Sequence, residues 1–264
     1  MVASEASADV ALERRGKVAV VTLRRPDALN AITAAMADRL GETLQELARD
    51  SDVWVVVLTA EGQRGFCVGA DLRERETMSS DQLVARRASL RNMFASVRET
   101  PQPTIAAVFG YTLGGGFELA LSCDLIVAAD DVQLGLPEAR VGLVPAGGGT
   151  YLLSRAVGPA RARELIFTGR RIDAEEAQAL GLVSEVVPRK ELEAAATRLA
   201  SRIAESSPVA TRLAKATLRN AQLGAESAAI EAEETALAEA TRSDDAAEGL
   251  RAFAEKRPPD WRNR

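Results

Sequence analysis

Short, almost uninterrupted apolar segments alternate along the chain with longer stretches in which apolar residues recur every three or four positions. The short segments are rich in valine, isoleucine and alanine, which is typical of strands buried on both faces. The longer stretches are typical of amphipathic helices. This alternation predicts an α/β fold with a largely parallel sheet. The predicted strands lie at 17–25, 53–60, 103–110, 123–130 and 182–187.

Helical spacing supplies the elements between these strands. Thr33 is predicted to cap a helix that runs to about Arg49, and a second helix is predicted from 81 to 99. A short helix is predicted to start near Gly116, directly after a glycine run. From about Pro159 onward alanine, glutamate, arginine and leucine dominate, which favours helices over strands.

These patterns divide the chain into three parts. Residues 1–14 are predicted to form a disordered tail, residues 15–190 an α/β core that holds the site, and residues 191–264 a helical region. Because the last helices are amphipathic, we expect them to pack on the core, on another subunit, or on both. The apolar residues available for that burial are Leu213, Leu218, Leu237, Leu250 and Phe253.

Composition excludes several classes of function. The chain has 264 residues, a net charge of −5, two cysteines and no histidine. The missing histidine excludes Ser-His-Asp and Cys-His catalysis, so acid–base chemistry must come from other side chains, and no metal site is expected. Two cysteines without a CxxC pair fit a reducing, cytoplasmic compartment. The net negative charge argues against nucleic-acid partners, and no apolar run is long enough for a membrane helix, so no membrane partner is expected.

The segment GYTLGGGFELA at 110–120 combines three consecutive glycines with a glutamate among apolar neighbours. Glycines let a ligand approach the backbone closely, and a helix that starts here would present N–H groups at its positive end. Such N–H groups can stabilise a developing oxyanion, with Glu118 facing the same cavity. The alternative is a tight strand-to-helix turn in which Glu118 only stabilises the helix N-terminus, and the segment alone leaves both interpretations open.

Two further loops follow predicted strands. FCVGADL at 66–72 can offer another backbone N–H near Gly69 or Ala70. Its Cys67 has no adjacent base and is predicted to be a small buried apolar residue. LGLPEARVGLVPAGGGT at 134–150 places Glu138 after a proline, at a predicted helical turn. Alone, a glutamate in this position is more often solvated or ion-paired than catalytic, and Arg140 is the candidate partner of Glu138.

Seven segments stand in this order along the chain: RPDALNA, FCVGADL, GYTLGGGFELA, CDLIVAA, LGLPEARVGLVPAGGGT, FTGRRIDAEEAQALGLVSEVV and EGLRAFAEKRPPDW. Together they resemble successive signatures of the enoyl-CoA hydratase/isomerase family, the crotonases. The resemblance covers roughly residues 15–264. It implies a crotonase-like ββα spiral core, of the α/β class, followed by a C-terminal helical region used for oligomerisation.

The resemblance also implies a reaction. In crotonases two backbone N–H groups hold the acyl thioester carbonyl and stabilise its enolate, and by motif these belong to Ala70 and Gly115. Hydratases of the family resemble this chain in having two glutamates, here Glu118 and Glu138. The implied reaction adds water across the C2=C3 bond of a 2-enoyl-CoA, with Glu118 activating water and Glu138 donating a proton to C2. No cofactor is expected, because coenzyme A is part of the substrate.

Substrate and partner contacts follow from the same resemblance. In an acidic chain, local cations are expected to receive the coenzyme A phosphates. The candidate coenzyme A contacts are Arg24, Arg25, Ala28, Leu29, Asp71, Leu72 and Lys256. Crotonases resemble one another in forming trimers that often pair into hexamers. Self-association as a trimer or a dimer of trimers is therefore expected, with Lys256 near a neighbouring subunit's coenzyme site.

Two other functions remain as alternatives. Isomerisation of 3-enoyl-CoA to 2-enoyl-CoA uses the same enolate and can run with one carboxylate, so the presence of both glutamates favours hydration. A non-catalytic crotonase-fold protein acting in assembly or RNA binding is disfavoured by the intact glutamates and the net charge of −5. Tyr151 and Leu152 stand where many hydratases carry Gln and Arg, which leaves the acyl-chain length open. Phe117 is predicted to be a packing residue.

Overall fold

The computed structural model describes residues 9–206, 208–222, 238, 241–242 and 244–257. The strands in this part are β1 (Val10–Arg15), β2 (Val18–Leu23), β3 (Val55–Ala60), β4 (Thr104–Val108), β5 (Tyr111–Leu113), β6 (Leu125–Ala129), β7 (Gln133–Gly135) and β8 (Glu185–Val187). Six of them form one sheet in the order β1-β2-β3-β4-β6-β8, and β5 pairs with β7. The pair β1–β2 is antiparallel and the others are parallel, which confirms the predicted α/β class.

The central strands of the large sheet carry almost no polar side chains. β2 reads VAVVTL, β3 VVVLTA, β4 TIAAV and β6 LIVAA, and nearly all of these residues are buried. A strand covered on both faces requires an apolar run rather than an alternation, which is why the sequence revealed these strands. In the register of β3 and β4, Leu58 pairs with Ala106, so both strands end at the same edge of the sheet. The loops that leave this edge carry the candidate site.

Strand β1 corrects the prediction of a disordered tail at 1–14. Val10 lies opposite Leu23 and Arg15 lies opposite Val18 in an antiparallel pair with β2. Only Val10 of this strand is buried, because β1 lies at the edge of the sheet and its later residues face solvent. An edge strand with one buried apolar residue lacks the pattern that revealed the others. Residues 1–8 of the predicted tail lie outside the described residues.

The described part of the chain forms the helices α1 (Ala34–Ala48), α2 (Leu72–Glu76), α3 (Ser80–Glu99), α4 (Gly115–Leu121), α5 (Gly149–Val157), α6 (Pro159–Thr168), α7 (Ala174–Ala179), α8 (Leu192–Ala204), α9 (Pro208–Gln222) and α10 (Asp244–Glu255). Short 3-10 turns lie at Pro26–Ala28, Glu138–Val141 and Arg189–Glu191. Among the described residues, no helix has the length and apolar content needed to cross a membrane.

Capping side chains define the starts of the two helices predicted between strands. The Thr33 side chain accepts a hydrogen bond from the Met36 N–H, which confirms its predicted role as the cap of α1. Ser79 and Gln82 form a capping box at the start of α3. α1 buries an apolar stripe against the core and packs along α3. This packing fixes α3, which borders the candidate site.

The first helix of the predicted C-terminal region belongs to the core. α8 packs on β3, β4 and β6 and buries Leu192, Ala195, Ala196 and Ala200. The predicted boundary at residue 190 therefore does not separate two packed units. At the other end of the region, α10 packs against the 3-10 turn at Glu138–Val141. The expected packing of C-terminal helices on the core is thus present within one chain.

Candidate active site

Three segments that are far apart in sequence converge where β3 and β4 end. The loop after β3 is joined to the segment after β4 by bridges from Gly65 to Gly110 and from Cys67 to Thr112. On its other side, the same loop is joined through Ala70 to the segment that precedes α1. The motifs RPDALNA, FCVGADL and GYTLGGGFELA therefore form one continuous surface.

The backbone nitrogens of Ala70 and Gly115 lie close together. The Ile32 N–H donates to the Gly69 carbonyl at 2.8 Å, and the Asp71 N–H donates to the Ile32 carbonyl at 2.9 Å. Because N–H groups alternate in direction along an extended segment, the N–H of Ala70 points away from Ile32. Gly115 is the first residue of α4, so its N–H has no acceptor within the helix. A Cβ added to Gly115 would lie 3.6 Å from the Ala70 nitrogen, which places the two donors side by side.

Each glycine of the run at 114–116 meets a different requirement. Gly114 has a φ of 54°, a backbone conformation that other residues rarely adopt. A Cβ on Gly116 would overlap the carbonyl oxygen of Cys67. A Cβ on Gly115 would occupy the space between the two donors. The run therefore forms the tight turn that the sequence offered as one alternative, and the approach of a ligand to Gly115 stays a prediction.

Glu118 is buried in the first turn of α4, with 3% of its surface exposed. Its Oε1 atom accepts hydrogen bonds from the N–H of Gly147 at 2.7 Å and the N–H of Gly149 at 2.9 Å. Burial raises the pKa of the Glu118 carboxyl above its ordinary value of 4.5, while the two N–H groups and the charge of Arg98 oppose that rise. A buried carboxyl with a raised pKa is suited to proton exchange near neutral pH.

Glu138 begins the 3-10 turn that follows β7, as the predicted helical turn required. The turn is closed by a hydrogen bond of 2.9 Å from the Leu143 N–H to the Glu138 carbonyl. A Cβ added to Gly114 would lie 3.1 Å from Glu138 Oε1, so this carboxylate lies against the backbone that precedes α4. Both glutamates therefore border the glycine run, although they come from different elements.

A second glycine run, at 147–149, completes the site and received no role from the sequence. A Cβ on Gly147 would lie 2.5 Å from the Phe94 ring, and one on Gly149 would lie 2.8 Å from Glu118 Oε1. The run AGGGT indicates that the backbone approaches another group closely. The sequence does not identify that group, because the partner of Gly147 is Glu118, which is 29 residues away. Phe94 also lies 3.7 Å from the Cβ position of Gly115, so α3 forms a wall of the site.

Asn30 is a turn-forming residue whose contacts with the site the sequence did not predict. It is fully buried and has a φ of 55°. Its Nδ2 donates to the carbonyls of Glu61 at 2.9 Å and Gly65 at 3.2 Å, and its Oδ1 accepts from the Arg25 N–H at 2.8 Å. Asn30 therefore fastens the RPDALNA segment to the loop after β3.

The charged candidates for coenzyme A binding in the RPDALNA and GADL segments lie close together. Arg25 Nη2 lies 3.1 Å from Asp71 Oδ2, and Arg25 also donates to the Ala31 carbonyl. Arg24 forms an exposed ion pair of 2.8 Å with Glu61. Arg25 thus has a structural role, and its binding of a phosphate stays a prediction, as does that of Arg24.

The other candidates for coenzyme A binding lie in three places. Ala28 and Leu29 end the first 3-10 turn, where Leu29 has a φ of 53°, and Leu72 begins α2. Lys256 is exposed and follows α10, the helix that packs against the Glu138 turn. The segments at 24–29 and 71–72 form one cluster, whereas Lys256 belongs to a different element.

Cys67 is a buried structural residue. Its Sγ lies 3.1 Å from the Asn30 carbonyl, to which it donates, and burial raises the pKa of the thiol to about 12. This confirms the prediction that Cys67 is a small buried residue rather than a nucleophile. Phe117 is 1% exposed, which confirms its predicted packing role. In the described part of the chain, no group of three or more acidic or cysteine side chains is placed to hold a metal ion.

Known proteins are similar to this chain in sequence and fold. The sequence model described as enoyl-CoA hydratase/isomerase matches residues 13–264. A short-chain-enoyl-CoA hydratase of Clostridium acetobutylicum is 38% identical over 251 residues, which cover 94% of this chain and 95% of the relative. The crystal structure of an enoyl-CoA hydratase from Bacillus anthracis matches with a TM-score of 0.79 at 38% identity, covering 97% of this chain and 100% of its own. The crystal structure of a carnitinyl-CoA hydratase from Mycobacterium avium matches with a TM-score of 0.87 at 37% identity, covering 97% of this chain and 99% of its own.

The fold is the crotonase fold, and a chain with this fold and site is an enzyme of the crotonase class. It belongs to the enoyl-CoA hydratase/isomerase family, which confirms the resemblance seen in the sequence. The prediction of a hydro-lyase is confirmed at the level of this family by relatives that are named as hydratases.

Proposed function

We propose that this enzyme adds water across the C2=C3 double bond of 2-enoyl-CoA thioesters to give 3-hydroxyacyl-CoA. The observation that carries the proposal is the placement of Glu118 and Glu138 beside the glycine run whose Gly115 N–H faces that of Ala70. Hydration requires a group that accepts a proton from water, a group that donates one to carbon, and donors for the enolate oxygen. These four residues supply all three.

In the proposed mechanism, the thioester carbonyl oxygen accepts hydrogen bonds from the N–H groups of Ala70 and Gly115. Water attacks C3 while Glu118 accepts its proton, and the electron pair of the double bond moves onto the thioester as an enolate. Each N–H donor to that enolate contributes about 3 kcal/mol of transition-state stabilisation. Glu138 then donates a proton to C2 as the enolate collapses, and a proton transfer from Glu118 to Glu138 restores the pair.

The hydrogen bonds of Glu118 support its role as the base. Both N–H groups that donate to it bind Oε1, which stabilises the charged form and leaves Oε2 as the atom to which water can donate. Glu138 is therefore assigned as the acid. The proposal includes no cofactor, because carboxylates and backbone donors suffice for this reaction.

Hydration of crotonyl-CoA tests the proposal. We expect purified protein to remove the absorbance of the enoyl thioester and to form 3-hydroxybutyryl-CoA, identified by mass. Conversion of a 3-enoyl-CoA to a 2-enoyl-CoA without hydration would support the isomerase instead. Turnover of neither thioester class, at any acyl length, would support a non-catalytic role.

The same assay can also measure which acyl group the enzyme prefers. Two of the similar proteins are named for a short-chain enoyl-CoA and for carnitinyl-CoA at 38% and 37% identity, so overall identity does not select between acyl groups. Phe94 of α3 borders the site. On α5, the guanidinium carbon of Arg155 lies over the Tyr151 ring, 4.7 Å from the centre of that ring. A series of 2-enoyl-CoAs from short to long chains measures the preference directly.

We also propose self-association as a trimer or a dimer of trimers. Val209, Leu213 and Leu218 of α9 and Phe253 of α10 are between 60% and 66% exposed, and exposed apolar groups of this size favour a subunit interface. Leu250 is half-buried, and Leu237 lies outside the described residues. Light scattering near physiological salt measures the assembly, and a fully active monomer would contradict it. The cytoplasmic location and the absence of nucleic-acid and membrane partners stay predictions.

Lys256→Glu is expected to raise KM for acyl-CoA more than it lowers kcat, because Lys256 is proposed to bind coenzyme A far from the reacting carbons. The effect is expected to shrink as ionic strength rises, since salt screens exposed charges. Steady-state kinetics at two salt concentrations measure both changes. Lys190→Glu makes the same charge change at another exposed lysine and serves as the control. Equal KM values for the two variants at low salt would remove Lys256 from the coenzyme site.

A further inference from the structure

We infer that Arg98 is a positioning residue for the proposed hydration: it holds the second glycine run in the place from which that run donates hydrogen bonds to Glu118. Arg98 lies in the last turn of α3. Its Nη1 atom donates to the Gly147 carbonyl at 3.0 Å. This inference rests on the proposed function, because it gives Glu118 the role of the base.

Arg98 contacts the loop between the two N–H groups that donate to Glu118. The N–H groups of Gly147 and Gly149 that donate to Glu118 belong to two peptide groups. The carbonyl that Arg98 holds belongs to the peptide group between them. Arg98 and Glu118 therefore bind three successive peptide groups, Arg98 through the middle carbonyl and Glu118 through the flanking N–H groups.

The three glycines of the loop contribute no side-chain contacts. Gly147, Gly148 and Gly149 have no side chains, and glycine loses more conformational entropy on ordering than any other residue. Gly148 has a φ of 112°, and a Cβ there would lie 3.5 Å from Arg98 Nη1, so the guanidinium lies close along the loop. Arg98 is itself fastened, because Arg219 of α9 donates to its carbonyl at 3.1 Å. Arg98 therefore adds a side-chain contact to a loop whose other bonds are made by its backbone.

Arg98 also supplies positive charge at the buried carboxyl. In the part of the chain that the structure describes, the elements packed most closely on α4 are α3, α5, β5 and β6, and β6 carries no titratable side chain. α5 carries Arg155, which stacks on a tyrosine ring, and β5 carries Tyr111, whose ring lies 5.0 Å from a guanidinium. Glu138 adds negative charge on the other side of the glycine run. Arg98 is the cation whose charge opposes the effect of burial on the pKa of Glu118.

Arg98→Met and Arg98→Lys separate the two contributions of this side chain. Glu118 acts as a base in its charged form, so kcat/KM falls as pH falls through its pKa. Loss of a nearby cation raises that pKa, so Arg98→Met is expected to move the acid limb upward by about one pH unit and to lower kcat several-fold. Arg98→Lys is expected to keep the limb in place and to lower kcat only, because an ammonium keeps the charge without the directed guanidinium geometry. Arg163→Met, which deletes an exposed positive charge on α6 away from the site, is the control with an unchanged profile.

A measurement without substrate keeps this inference independent of turnover. The infrared band of the Glu118 carboxyl, assigned by its loss in Glu118→Gln, is titrated in the folded wild type and in both Arg98 variants. We expect the pKa of the Glu118 carboxyl to rise in Arg98→Met, as the acid limb does, and to stay unchanged in Arg98→Lys. An Arg98→Met protein with the wild-type carboxyl titration overturns the inference, whether or not the enzyme hydrates enoyl-CoA. Absent hydration with a shifted titration rejects the proposed function but keeps Arg98 as the residue that positions and charges Glu118.

Discussion

Glu118→Gln and Glu138→Gln are each expected to lower the kcat for hydration of enoyl-CoA by about 10²–10⁴-fold, the usual contribution of a general acid or base. Glutamine keeps the shape of the side chain but can neither accept the proton from water nor donate one to C2. At position 118 its carbonyl oxygen can still accept the N–H groups of Gly147 and Gly149, so we expect the fold to persist. Steady-state kinetics together with circular dichroism measure both results.

The double variant sharpens this prediction. Residues that act as a unit are not additive, so Glu118→Gln/Glu138→Gln is expected to be little worse than either single variant. Glu193→Gln removes a carboxylate from an exposed ion pair with Arg15 and is expected to leave kcat unchanged. A kcat near that of the wild type in either single variant at the site would show that the two-carboxylate mechanism is wrong.

Gly115→Ala is expected to lower kcat/KM by at least about 10²-fold with little loss of stability. The added methyl would lie 3.6 Å from the Ala70 nitrogen and 3.3 Å from the Gly69 Cα, in the space between the two donors where the thioester oxygen is proposed to bind. Displacing the oxygen from even one donor costs about 3 kcal/mol of transition-state stabilisation. Alanine is otherwise favourable at the start of a helix, which offsets the tight contact.

Two other glycines provide matched controls for this methyl group. Gly41→Ala adds a methyl in the middle of α1, where the nearest atom is 3.6 Å away, and is expected to leave activity unchanged. Gly116→Ala adds one that overlaps the Cys67 carbonyl and is expected to destabilise the fold by about 3 kcal/mol, measured by urea unfolding. Turnover of Gly115→Ala at the wild-type rate would show that close approach at this glycine is not required.

The pattern of apolar residues predicted most of the fold. Strands buried on both faces read as apolar runs, and α1 and α3 showed both helical spacing and a polar residue at the start. β1 was missed because an edge strand buries only Val10. α2 was missed because five residues are too few to show a period. In both cases the element is stabilised mainly by its neighbours rather than by its own sequence.

The motifs predicted individual residues of the candidate site but not the contacts between those residues. The glycine runs, Glu118 and Glu138 can be recognised in the sequence. An ordered glycine costs conformational entropy and a carboxylate among apolar residues costs desolvation, so each indicates a functional or structural role. The role of Gly147 and Gly149 as donors to Glu118, the anchoring by Asn30 and the contact of Arg98 with the loop were not visible.

By itself, the sequence determined the class of fold, the start of α1, the strands of the large sheet that are buried on both faces, and the places where backbone must approach another group. Those properties depend on residues that are near one another in the chain, through periodicity, caps and the conformational freedom of glycine. Only the tertiary structure decided which N–H groups bind Glu118, which cation lies near it, and that Ala70 and Gly115 lie close together. These are contacts between segments far apart in sequence, and they exist because the parallel sheet brings the ends of β3 and β4 to the same edge.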